Sequence, residues 1–414
     1  MSIKAQTLKG FRDFLPTEAR RRSYVINKIK GVFEKFGFEP LETPTLEYEE
    51  ILLGKYGTEG DKLMYRFTDN GERKVAMRYD QTVPLARVVA QYPELPKPFK
   101  KYQIQSVFRA ENTQKGRYRE FLQCDADIVG SSSPLSDAEI IALSANIMSE
   151  LGFKNFKILI NDREIFQNLI QKKIIEEKEL ISVIRAVDKL NKIGKEGVLD
   201  EIIALGFSTE RATNVLASIE DLTPTPKLLK IMGNLEKMGV SSENYQFSPT
   251  LARGLDYYTG LIFEIEVPEY PSGSTLGGGR YDNLIGMFER DSIPAVGFAV
   301  GFDRTLEAME ELDLFPKDLQ SSKVLVTVFS QDLLDSSISL VSKLRAQNIP
   351  SEIYLDPGAK LEKQLKYADQ KGILYVAIIG PDETKSNTFT LKNLKQKSQE
   401  TLSLDALIEK LSCQ

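Results

Sequence analysis

The residues best suited to chemistry lie in four short segments that combine arginines and carboxylates with hydroxyl groups. Residues 253–260 read RGLDYYTG, with an arginine and an aspartate beside two adjacent tyrosines. Residues 108–127 are rich in arginine and acidic side chains, residues 76–82 contain an aspartate and a threonine, and residues 297–305 place an arginine after small residues. The planar fork of arginine binds phosphate and carboxylate groups, so these segments indicate a site for anionic ligands.

The 414-residue chain contains no histidine. Catalysis by Ser-His-Asp or Cys-His groups and histidine-ligated metal sites are therefore excluded. The two cysteines, Cys124 and Cys413, form neither a Cys-x-x-Cys pair nor a disulfide framework. If the chain is an enzyme, its chemistry uses carboxylates, arginines, lysines, tyrosines and bound ions.

The segment FRAENTQKGRYREFLQCDAD predicts two strands joined by a polar loop. A solvated turn is one interpretation of such a charged hairpin. However, Arg109 follows two apolar strand residues instead of lying at the loop tip. Gln123, Asp125 and Asp127 alternate along the second strand, so their side chains share one face. This alternation within an apolar strand favours a lined pocket, with Arg109 suited to grip phosphate.

Asp80 and Thr82 end the strand predicted over AMRYDQT and, being two residues apart, are expected on the same face. A carboxylate and a hydroxyl in this arrangement can bind an ammonium group. A helix N-cap before VPLARVVAQ is an equally good interpretation, because Thr82 stands ahead of Pro84.

A glycine-rich loop and an arginine at a helix start complete the candidate set. GSTLGGGRYD matches neither GxGxxG nor GxxxxGK[ST], so its glycines are interpreted as sites of close backbone approach to a ligand or another strand. Arg304 is predicted at the start of a helix that follows a strand of small residues. An arginine there opposes the helix dipole, which favours an anionic ligand over an ordinary surface role.

Charge and hydropathy limit the possible partners. The net charge of −5 gives no global attraction for nucleic acid, so any such binding must come from local basic patches. No apolar run approaches the length that spans a bilayer, and the N-terminus lacks the apolar stretch of a signal peptide. We therefore expect a cytoplasmic protein without a membrane segment.

The periodicity changes along the chain and predicts three regions, as expected for this length. Residues 1–171 and 245–315 carry strand, helix and hairpin signals, which predict an α+β domain around a mostly antiparallel sheet. Residues 172–244 carry only helical patterns and predict an inserted helical domain. Residues 323–414 follow a βαβαβ order and predict a small α/β domain with a parallel sheet.

Three local elements of the first region are predicted in more detail. Thr17 is the expected N-cap of a helix that ends before Gly37. Asp69-Asn70-Gly71 predicts the turn of a β-hairpin. Residues 134–152, PLSDAEIIALSANIMSELG, predict a capped amphipathic helix that leads to a buried strand, FKILIN.

Taken in order, these segments resemble the histidyl-tRNA synthetases, a family of class II aminoacyl-tRNA synthetases, over nearly the whole chain. KGFRDFLP resembles the family's opening, FEKFGFEPLETPTLE its motif 1, FRAENTQKGRYREFLQCDADIVG its motif 2 and AVGFAVGFDR its motif 3. LARGLDYYTGLIFEI is the most specific match, because it is a signature of the histidyl enzymes. The resemblance implies a class II synthetase-like catalytic domain, an anticodon-binding α/β domain, and ATP-dependent ligation of L-histidine to tRNA(His) through a histidyl-adenylate.

The resemblance also implies a role for each matching residue. For ATP, whose Mg²⁺ is expected to be held largely by phosphates and water, the residues are Arg109 at the α-phosphate, Glu111 and Phe121 at the adenine, and Arg304 at the triphosphate tail. For L-histidine they are Asp80 and Thr82 at the α-amino group, Gln123 near the α-carboxylate, Asp127 and Tyr258 at the imidazole nitrogens, and Tyr257 and Tyr281 lining the pocket. Arg253 is implied at both the α-phosphate and the substrate carboxylate, and with Arg109 it is the implied catalytic residue.

For the tRNA, the resemblance implies that Asn112 and Gln114 lie near the extra 5′ guanosine of tRNA(His). It places the helical insertion over the acceptor stem and residues 323–414 at the anticodon. Local positive charge in that last region comes from Lys360, Lys363, Lys366 and Lys371. These lysines are suited to phosphate contacts, although each one alone is equally typical of a solvated helix face. Motif 1 implies a homodimer.

Two departures from the family pattern are present. The motif 2 loop reads AENTQKGRYREF where the family more often has a Pro-containing loop, and Asp127 stands where many relatives have glutamate. The main alternative function is a histidine-sensing regulatory subunit of ATP phosphoribosyltransferase, and a tRNA-binding module is another. Such regulatory relatives usually lack the anticodon-binding domain or the ATP-binding arginines. Because this chain keeps Arg109, Arg253, Arg304 and the C-terminal domain, the enzyme is favoured.

Overall fold

The structure is a computed structural model. It describes residues 3–54, 57–113, 117–252, 258–271, 273–288, 291–317, 319 and 322–412. The chain divides into two compact units. One comprises the residues up to Phe14 together with Arg21–Phe315, and the other comprises Leu15–Arg20 and the chain from Pro316 onward.

The first half of the larger unit alternates strands and helices. Its elements, in chain order, are α1 (Pro16–Lys35), which is shared between the two units, β1 (Glu39–Pro40), β2 (Leu46–Tyr48), α2 (Glu49–Leu52), α3 (Gly57–Lys62), β3 (Arg66–Thr68), β4 (Lys74–Met77), α4 (Thr82–Gln91), β5 (Phe99–Phe108), β6 (Glu120–Val129), α5 (Pro134–Glu150) and β7 (Lys157–Asp162).

A run of helices then precedes the last strands of this unit. The elements are α6 (Gln167–Gln171), α7 (Leu180–Val187), α8 (Leu190–Ala204), α9 (Thr209–Glu220), α10 (Pro226–Lys237), β8 (Tyr245–Phe247), β9 (Leu261–Glu266), β10 (Leu276–Arg280), β11 (Ala295–Gly301) and α11 (Phe302–Glu311).

An eight-stranded sheet in the order β1-β5-β6-β11-β10-β9-β7-β8 forms the centre of the larger unit. Its inner pairs are antiparallel, and only the outer pairs β1–β5 and β7–β8 are parallel. The predicted mostly antiparallel sheet is therefore confirmed. β5 and β6 pair over their full length, as the alternating hairpin segment predicts. β11 then pairs with the other edge of β6.

The small hairpin predicted around Asp69 is also confirmed. β3 and β4 are antiparallel, and β2 joins them in a three-stranded sheet. The turn is held by the Asp69 carboxylate, which accepts hydrogen bonds from the backbone N–H groups of Gly71 and Arg73, both at 2.9 Å. This is the local side-chain to backbone bonding that makes aspartate favourable in turns.

Two details of the helix predictions are wrong. The first helix begins at Pro16 rather than after Thr17, because the fixed φ of proline suits the first helical position. The helix α5 is capped by Ser133, but it is buried on most of its sides rather than amphipathic. It lies against the sheet and is covered by α10, so its polar Ser144 bonds back to the carbonyl of Ile140 at 2.8 Å.

Helices fill residues 172–244, but their apolar side chains belong to two clusters. Buried residues of α6 to α9, including Leu169, Val183 and Val215, form one cluster together with Ala252. In contrast, Leu228 and Ile231 of α10 belong to the core of the main sheet. The part of the chain between α6 and α9 therefore has a core of its own.

The smaller unit is an α/β domain. Its elements from residue 322 onward are β12 (Val324–Val326), α12 (Leu334–Ala346), β13 (Ser351–Ile353), α13 (Leu361–Lys371), β14 (Tyr375–Ile378), α14 (Pro381–Ser386), β15 (Phe389–Asn393), β16 (Ser398–Leu402) and α15 (Leu404–Ser412). The strand order is β13-β12-β14-β15-β16. β13, β12 and β14 are parallel, as the βαβαβ pattern predicts, whereas β15 and β16 form an antiparallel hairpin that the sequence reasoning missed.

Candidate active site

One cavity of about 420 Å³ collects most of the sequence-predicted residues. Its walls come from β6, β10 and β11 and from the starts of α4 and α11. The predicted residues that line it are Asp80, Thr82, Arg109, Glu111, Phe121, Gln123, Asp127, Tyr258, Tyr281 and Arg304. Asn112 is not part of this lining. Gln114, Arg253 and Tyr257 lie outside the described residues.

Asp80 and Thr82 reach the cavity from a different element than the sequence indicates. The strand β4 ends at Met77, so the two residues are not neighbours on a strand face. Thr82 is the first residue of α4, and Asp80 Oδ1 accepts a hydrogen bond from the backbone N–H of Val83 at 3.2 Å. The capping interaction proposed for Thr82 therefore belongs to Asp80, and the start of α4 brings both side chains to the cavity.

The strand β6 presents Gln123, Asp125 and Asp127 to the cavity, as the alternation predicts. Asp127 is already paired within the chain. Lys101 of β5, which is 0% exposed, places its Nζ 2.6 Å from Asp127 Oδ2. The hydroxyl of Tyr281 donates to Asp127 Oδ1. The charge of Asp127 is thus balanced by a buried lysine, and its orientation is fixed on two sides.

Glycines in β10 and β11 make room for these side chains. A Cβ atom at Gly297 would overlap the carboxylate of Asp127, and one at Gly279 would overlap the carbonyl of Leu261 and crowd the ring of Tyr258. The prediction that the backbone at these glycines is closely approached is confirmed. The groups that approach it are neighbouring strands and side chains of the pocket. Only glycine leaves this space free.

Arg109 is held in place by its neighbours. Its Nε donates to the backbone carbonyl of Tyr79 at 3.1 Å. Its guanidinium carbon lies 4.4 Å from the ring centroid of Tyr79 and 5.1 Å from that of Phe121. Cation–π contacts of this kind stabilise a guanidinium without using up all of its donors. The side chain is therefore positioned for an anionic ligand in the cavity.

Arg304 lies in the first turn of α11 and also lines the cavity. Its Nη1 donates to the carbonyl of Ser274 at 3.2 Å. The preceding Asp303 is held by two cations, with Arg12 at 2.8 Å and Arg22 at 3.0 Å. Because Asp303 is neutralised by those two arginines, it leaves Arg304 available for a negatively charged partner.

Glu111 is contacted by two arginines of the motif 2 segment. Arg117 Nη1 approaches Glu111 Oε2 at 3.6 Å, and Arg119 Nε donates to the carbonyl of Glu111 at 3.1 Å. The N-terminal segment supports this arrangement, because the backbone N–H of Arg119 donates to the carbonyl of Gly10 at 2.8 Å. A Cβ at Gly10, whose φ is +90°, would crowd the side chain of Arg119.

The described end of RGLDYYTG, Tyr258 to Gly260, is anchored on two sides. Arg163 Nη1 donates to the carbonyl of Tyr258 at 3.1 Å. The N–H of Thr259 donates to the carbonyl of Arg280 at 2.8 Å. Arg280 is itself buried and lies 2.7 Å from Asp137. These contacts give the Tyr258 backbone a fixed position beside the cavity.

Sequence reasoning did not select every residue that lines the cavity. Asp125, Tyr79, Tyr118 and Asp303 were not assigned roles, although all four line it. For Asp125 a signal existed, because it belongs to the polar alternation of β6. Burial, the largest cause, raises the pKa of Asp125 well above its usual range, whereas the charge of Lys101 opposes this shift.

No group of three or more cysteine, aspartate or glutamate side chains among the described residues is arranged to hold a metal ion. Across the same part of the chain, no helix is both long enough and apolar enough to cross a membrane.

The chain combines a mostly antiparallel sheet and its helices with a separate C-terminal α/β domain. One arginine that follows β5 and another in the first turn of α11 line the same cavity. These features define a class II aminoacyl-tRNA synthetase. The sequence matches the family model for histidyl-tRNA synthetase over residues 10–305 and that for an anticodon binding domain over residues 323–414. The chain belongs to the histidyl-tRNA synthetase family, and the resemblance predicted from its motifs is confirmed.

Individual relatives agree with this assignment. The histidine–tRNA ligase of Cytophaga hutchinsonii is 39% identical, and the match covers 97% of this chain and 98% of that protein. The crystal structure of histidyl-tRNA synthetase from Nostoc sp. PCC 7120 superposes with a TM-score of 0.88 at 28% identity, over 100% of both chains. An ATP phosphoribosyltransferase regulatory subunit/histidyl-tRNA synthetase from Bacillus halodurans superposes with a TM-score of 0.74, over 92% of this chain and 100% of that one. Its identity is only 23%, so that match shows a shared fold alone.

Proposed function

We propose that this protein activates L-histidine with ATP and transfers the histidyl group to tRNA(His). The observation that carries the proposal is the single cavity in which Arg109 and Arg304 lie with the acidic residues of β6. Two cationic groups suit a triphosphate, and the Asp127 carboxylate suits an N–H group of an imidazole ring.

The ATP end of the cavity follows from the cations and the aromatic ring. Arg109 is assigned to the α-phosphate and Arg304 to the triphosphate tail. The ring centroid of Phe121 lies 5.1 Å from the guanidinium carbon of Arg109. Phe121 is assigned to the adenine face together with Glu111. Stacking and charge then recognise the two ends of the nucleotide separately.

The histidine end follows from the paired carboxylate on β6. Asp127 and Tyr258 are assigned to the imidazole nitrogens, with Tyr257 and Tyr281 lining the pocket. The paired Lys101 makes the surroundings of Asp127 electrically neutral, which suits a neutral ring. Asp80, Thr82 and Gln123 are assigned to the α-amino and α-carboxylate groups.

The proposed chemistry has two steps. An oxygen of the histidine carboxylate attacks the α-phosphorus of ATP, and pyrophosphate leaves. The terminal ribose hydroxyl of the tRNA then attacks the carbonyl carbon of the adenylate, and AMP leaves. The first step brings two anions together, so cations supply the main stabilisation. The positioned Arg109 is assigned to this role, and Arg253 is assigned to it from the family motif. No histidine side chain is needed in the protein.

We assign Mg²⁺ to the ATP itself, where phosphate oxygens and water hold it. Two carboxylates that line the cavity beside the assigned arginines are engaged, since Glu111 faces Arg117 and Asp303 faces two arginines.

The tRNA and dimer assignments complete the proposal. Asn112 and Gln114 are assigned to the extra 5′ guanosine, the insertion at residues 172–244 to the acceptor stem, and residues 323–414 to the anticodon. The three-stranded sheet that follows motif 1 exposes Leu46, Tyr48 and Phe67, and the last two flank Val75 in one row. An exposed apolar face of this kind supports a homodimer. We place the enzyme in the cytoplasm, where its product is used.

Pyrophosphate exchange into ATP, measured with each of the twenty amino acids, tests the proposal. Exchange with histidine alone is the expected result. Histidine binding without exchange would instead support a regulatory protein.

The variant Arg253→Ala should lower histidine-dependent exchange by about 10²- to 10³-fold, because it removes a cation that acts on the transition state. Arg345→Ala is the control, since its guanidinium donates only to a backbone carbonyl in the C-terminal domain, that of Ser351. Near-normal exchange in a folded Arg253→Ala protein would refute the catalytic assignment.

A further inference from the structure

Asp125 is a carboxyl group of the cavity to which the proposed function gives no role. It is 4% exposed and lies between Gln123 and Asp127 on the same face of β6. β11 places the uncharged Ala299 opposite it. Its Oδ1 atom is buried and has no hydrogen-bond partner among the described residues. A buried carboxyl oxygen without a donor is costly, so this atom indicates a donor that a ligand supplies.

Charged groups of the cavity act on Asp125 from both sides of the pocket. The cations are Lys101 of β5 and Arg109, which follows β5, and the other carboxyl groups are Asp127 and Asp80. Lys101 lies 2.6 Å from Asp127, so its ammonium group is engaged by that neighbouring carboxylate.

The surroundings of Asp125 favour its protonated form. Burial is the largest cause that raises its pKa well above the usual range; Lys101 and Arg109 oppose the shift, and Asp127 and Asp80 add to it. A neutral carboxyl group needs no counter-charge, which explains how the ligand-free cavity accommodates a third acid.

We propose that Asp125 is a further substrate-binding residue of the amino-acid pocket, whose carboxylate binds the α-ammonium group of the substrate. The inference rests on the proposed function, in which the substrate carboxylate lies near Gln123 and the ring near Asp127. Alternate residues of a strand are roughly 6–7 Å apart, so these two positions bracket a residue in the middle. The Cα atom of histidine lies between its carboxylate and its ring, which brings its ammonium group to Asp125.

When the protonated form of Asp125 binds the ammonium group, its O–H proton leaves to water. The resulting carboxylate accepts N–H hydrogen bonds from the ammonium group, which keeps its three protons. Asp80, at the start of α4, faces the same group from the other element of the pocket.

The test measures KM for histidine and kcat of pyrophosphate exchange in the unmodified protein, Asp125→Asn and Asp162→Asn. Asp162 is a matched control, because it is also buried, has an oxygen without a hydrogen-bond partner and has a pKa raised by burial, yet it does not line the cavity. Loss of a hydrogen bond to a charged group should raise KM about 10- to 100-fold in Asp125→Asn, with kcat little changed. An unchanged KM in a folded Asp125→Asn protein overturns the inference. Absence of exchange in the unmodified protein overturns the proposed function instead.

A deamino analogue separates the ammonium contact from a general loss of the pocket. 3-(Imidazol-4-yl)propionate keeps the ring and the carboxylate but lacks the ammonium group. Its inhibition constant should be the same for the unmodified protein and for Asp125→Asn. If the variant weakens the analogue as much as it weakens histidine, Asp125 does not contact the ammonium.

Discussion

The two sheets of this protein bury different kinds of polar group. Around the eight-stranded sheet, the buried side chains include charged residues such as Lys101, Asp125 and Asp127. In the described part of the C-terminal domain, every buried polar side chain is neutral: Ser322, Thr327, Ser337, Gln364 and Asn393. Burying a charge costs several kcal/mol, whereas a neutral group costs little once it is hydrogen-bonded.

The two regions also differ in how well these groups are satisfied. All buried side-chain atoms without a partner among the described residues belong to the larger unit: Arg12, Gln81, Arg87, Gln123, Asp125, Asp137 and Asp162. In the smaller unit Gln364 is fully used, since it accepts from Val328 N–H at 2.9 Å and donates to the carbonyls of Val328 and Ala359. Two of these residues, Gln123 and Asp125, line the cavity, where a ligand can supply the partner.

Replacing one buried polar residue in each region by an apolar one is the test of this comparison with the largest expected effect. Lys101→Met leaves the charge of Asp127 buried without its cation and should lower the free energy of unfolding by about 3–5 kcal/mol. Gln364→Leu leaves backbone groups unpaired and should cost about 1–3 kcal/mol. Urea unfolding followed by circular dichroism measures both. A larger loss for Gln364→Leu than for Lys101→Met would contradict the comparison.

Replacing one arginine in each region separates charge used for a ligand from charge at the surface. Arg109→Gln should lower histidine-dependent pyrophosphate exchange by about 10²- to 10³-fold, because it removes a positioned cation. Arg345→Gln should leave exchange unchanged. Both variants remove the charge and keep a polar side chain with a hydrogen-bond donor. Equal activity of the two variants would remove Arg109 from the ATP site.

The lysines of α13 and its N-cap should show a smaller effect, confined to tRNA. Lys363 and Lys371 already pair with Asp356 at 3.4 Å and Glu352 at 2.6 Å. Lys360 and Lys366 are therefore the residues to change. Their double replacement by alanine should weaken tRNA binding and reduce the slope of log K against log salt by about 2, while exchange stays normal. A nitrocellulose filter titration at several salt concentrations measures this. An unchanged slope would mean that these lysines do not contact phosphate.

The smallest expected effect is an opposite response of the two regions to mild acid. Burial, the largest cause, raises the pKa of Asp137 although Arg280 opposes it, so its contribution to stability is present at low pH and is lost as the pH rises through the folded-state pKa. For Glu352, burial acts upward, but hydrogen bonds from Lys371, Ser322 and Tyr367 outweigh it and lower the pKa. Its contribution is present above the unfolded pKa and is lost as the pH falls through the folded-state pKa.

Urea unfolding of Asp137→Asn and Glu352→Gln as a function of pH measures these contributions. The stability difference from the unmodified protein should change with opposite signs for the two variants as the medium becomes acidic. For Glu352, whose ion pair is partly exposed, the effect should stay below about 1 kcal/mol. A change of the same sign in both variants would contradict the assignment.

Much of the fold could be predicted because its signals are local. The full-length β5–β6 hairpin and the turn at Asp69 follow from alternation and turn residues. The β15–β16 hairpin was missed because its turn lacks the Asn-Gly or Asp-Gly signal. It is formed instead by Asn393, whose side-chain oxygen Oδ1 accepts hydrogen bonds from the backbone N–H groups of Lys395 and Gln396.

The site could be predicted where family motifs exist, and less well where pairing across the sheet decides the chemistry. The roles of Arg109 and Asp127 were proposed from motif 2. The pairing of Asp127 with Lys101 was not, because Lys101 lies in an otherwise ordinary strand and meets Asp127 only through the β5–β6 register. The prediction that Asp80 lies on a strand was wrong, because no local sequence signal marks the end of β4 at Met77.

The strand β6 has a kinetic consequence for substrate recognition. It is hydrogen-bonded to β5 along one edge and to β11 along the other. The backbone of Gln123, Asp125 and Asp127 therefore cannot shift without breaking hydrogen bonds in two ladders. We expect this side of the proposed histidine pocket to keep its backbone position when the substrate binds, so that the observed rate of binding rises linearly with histidine concentration.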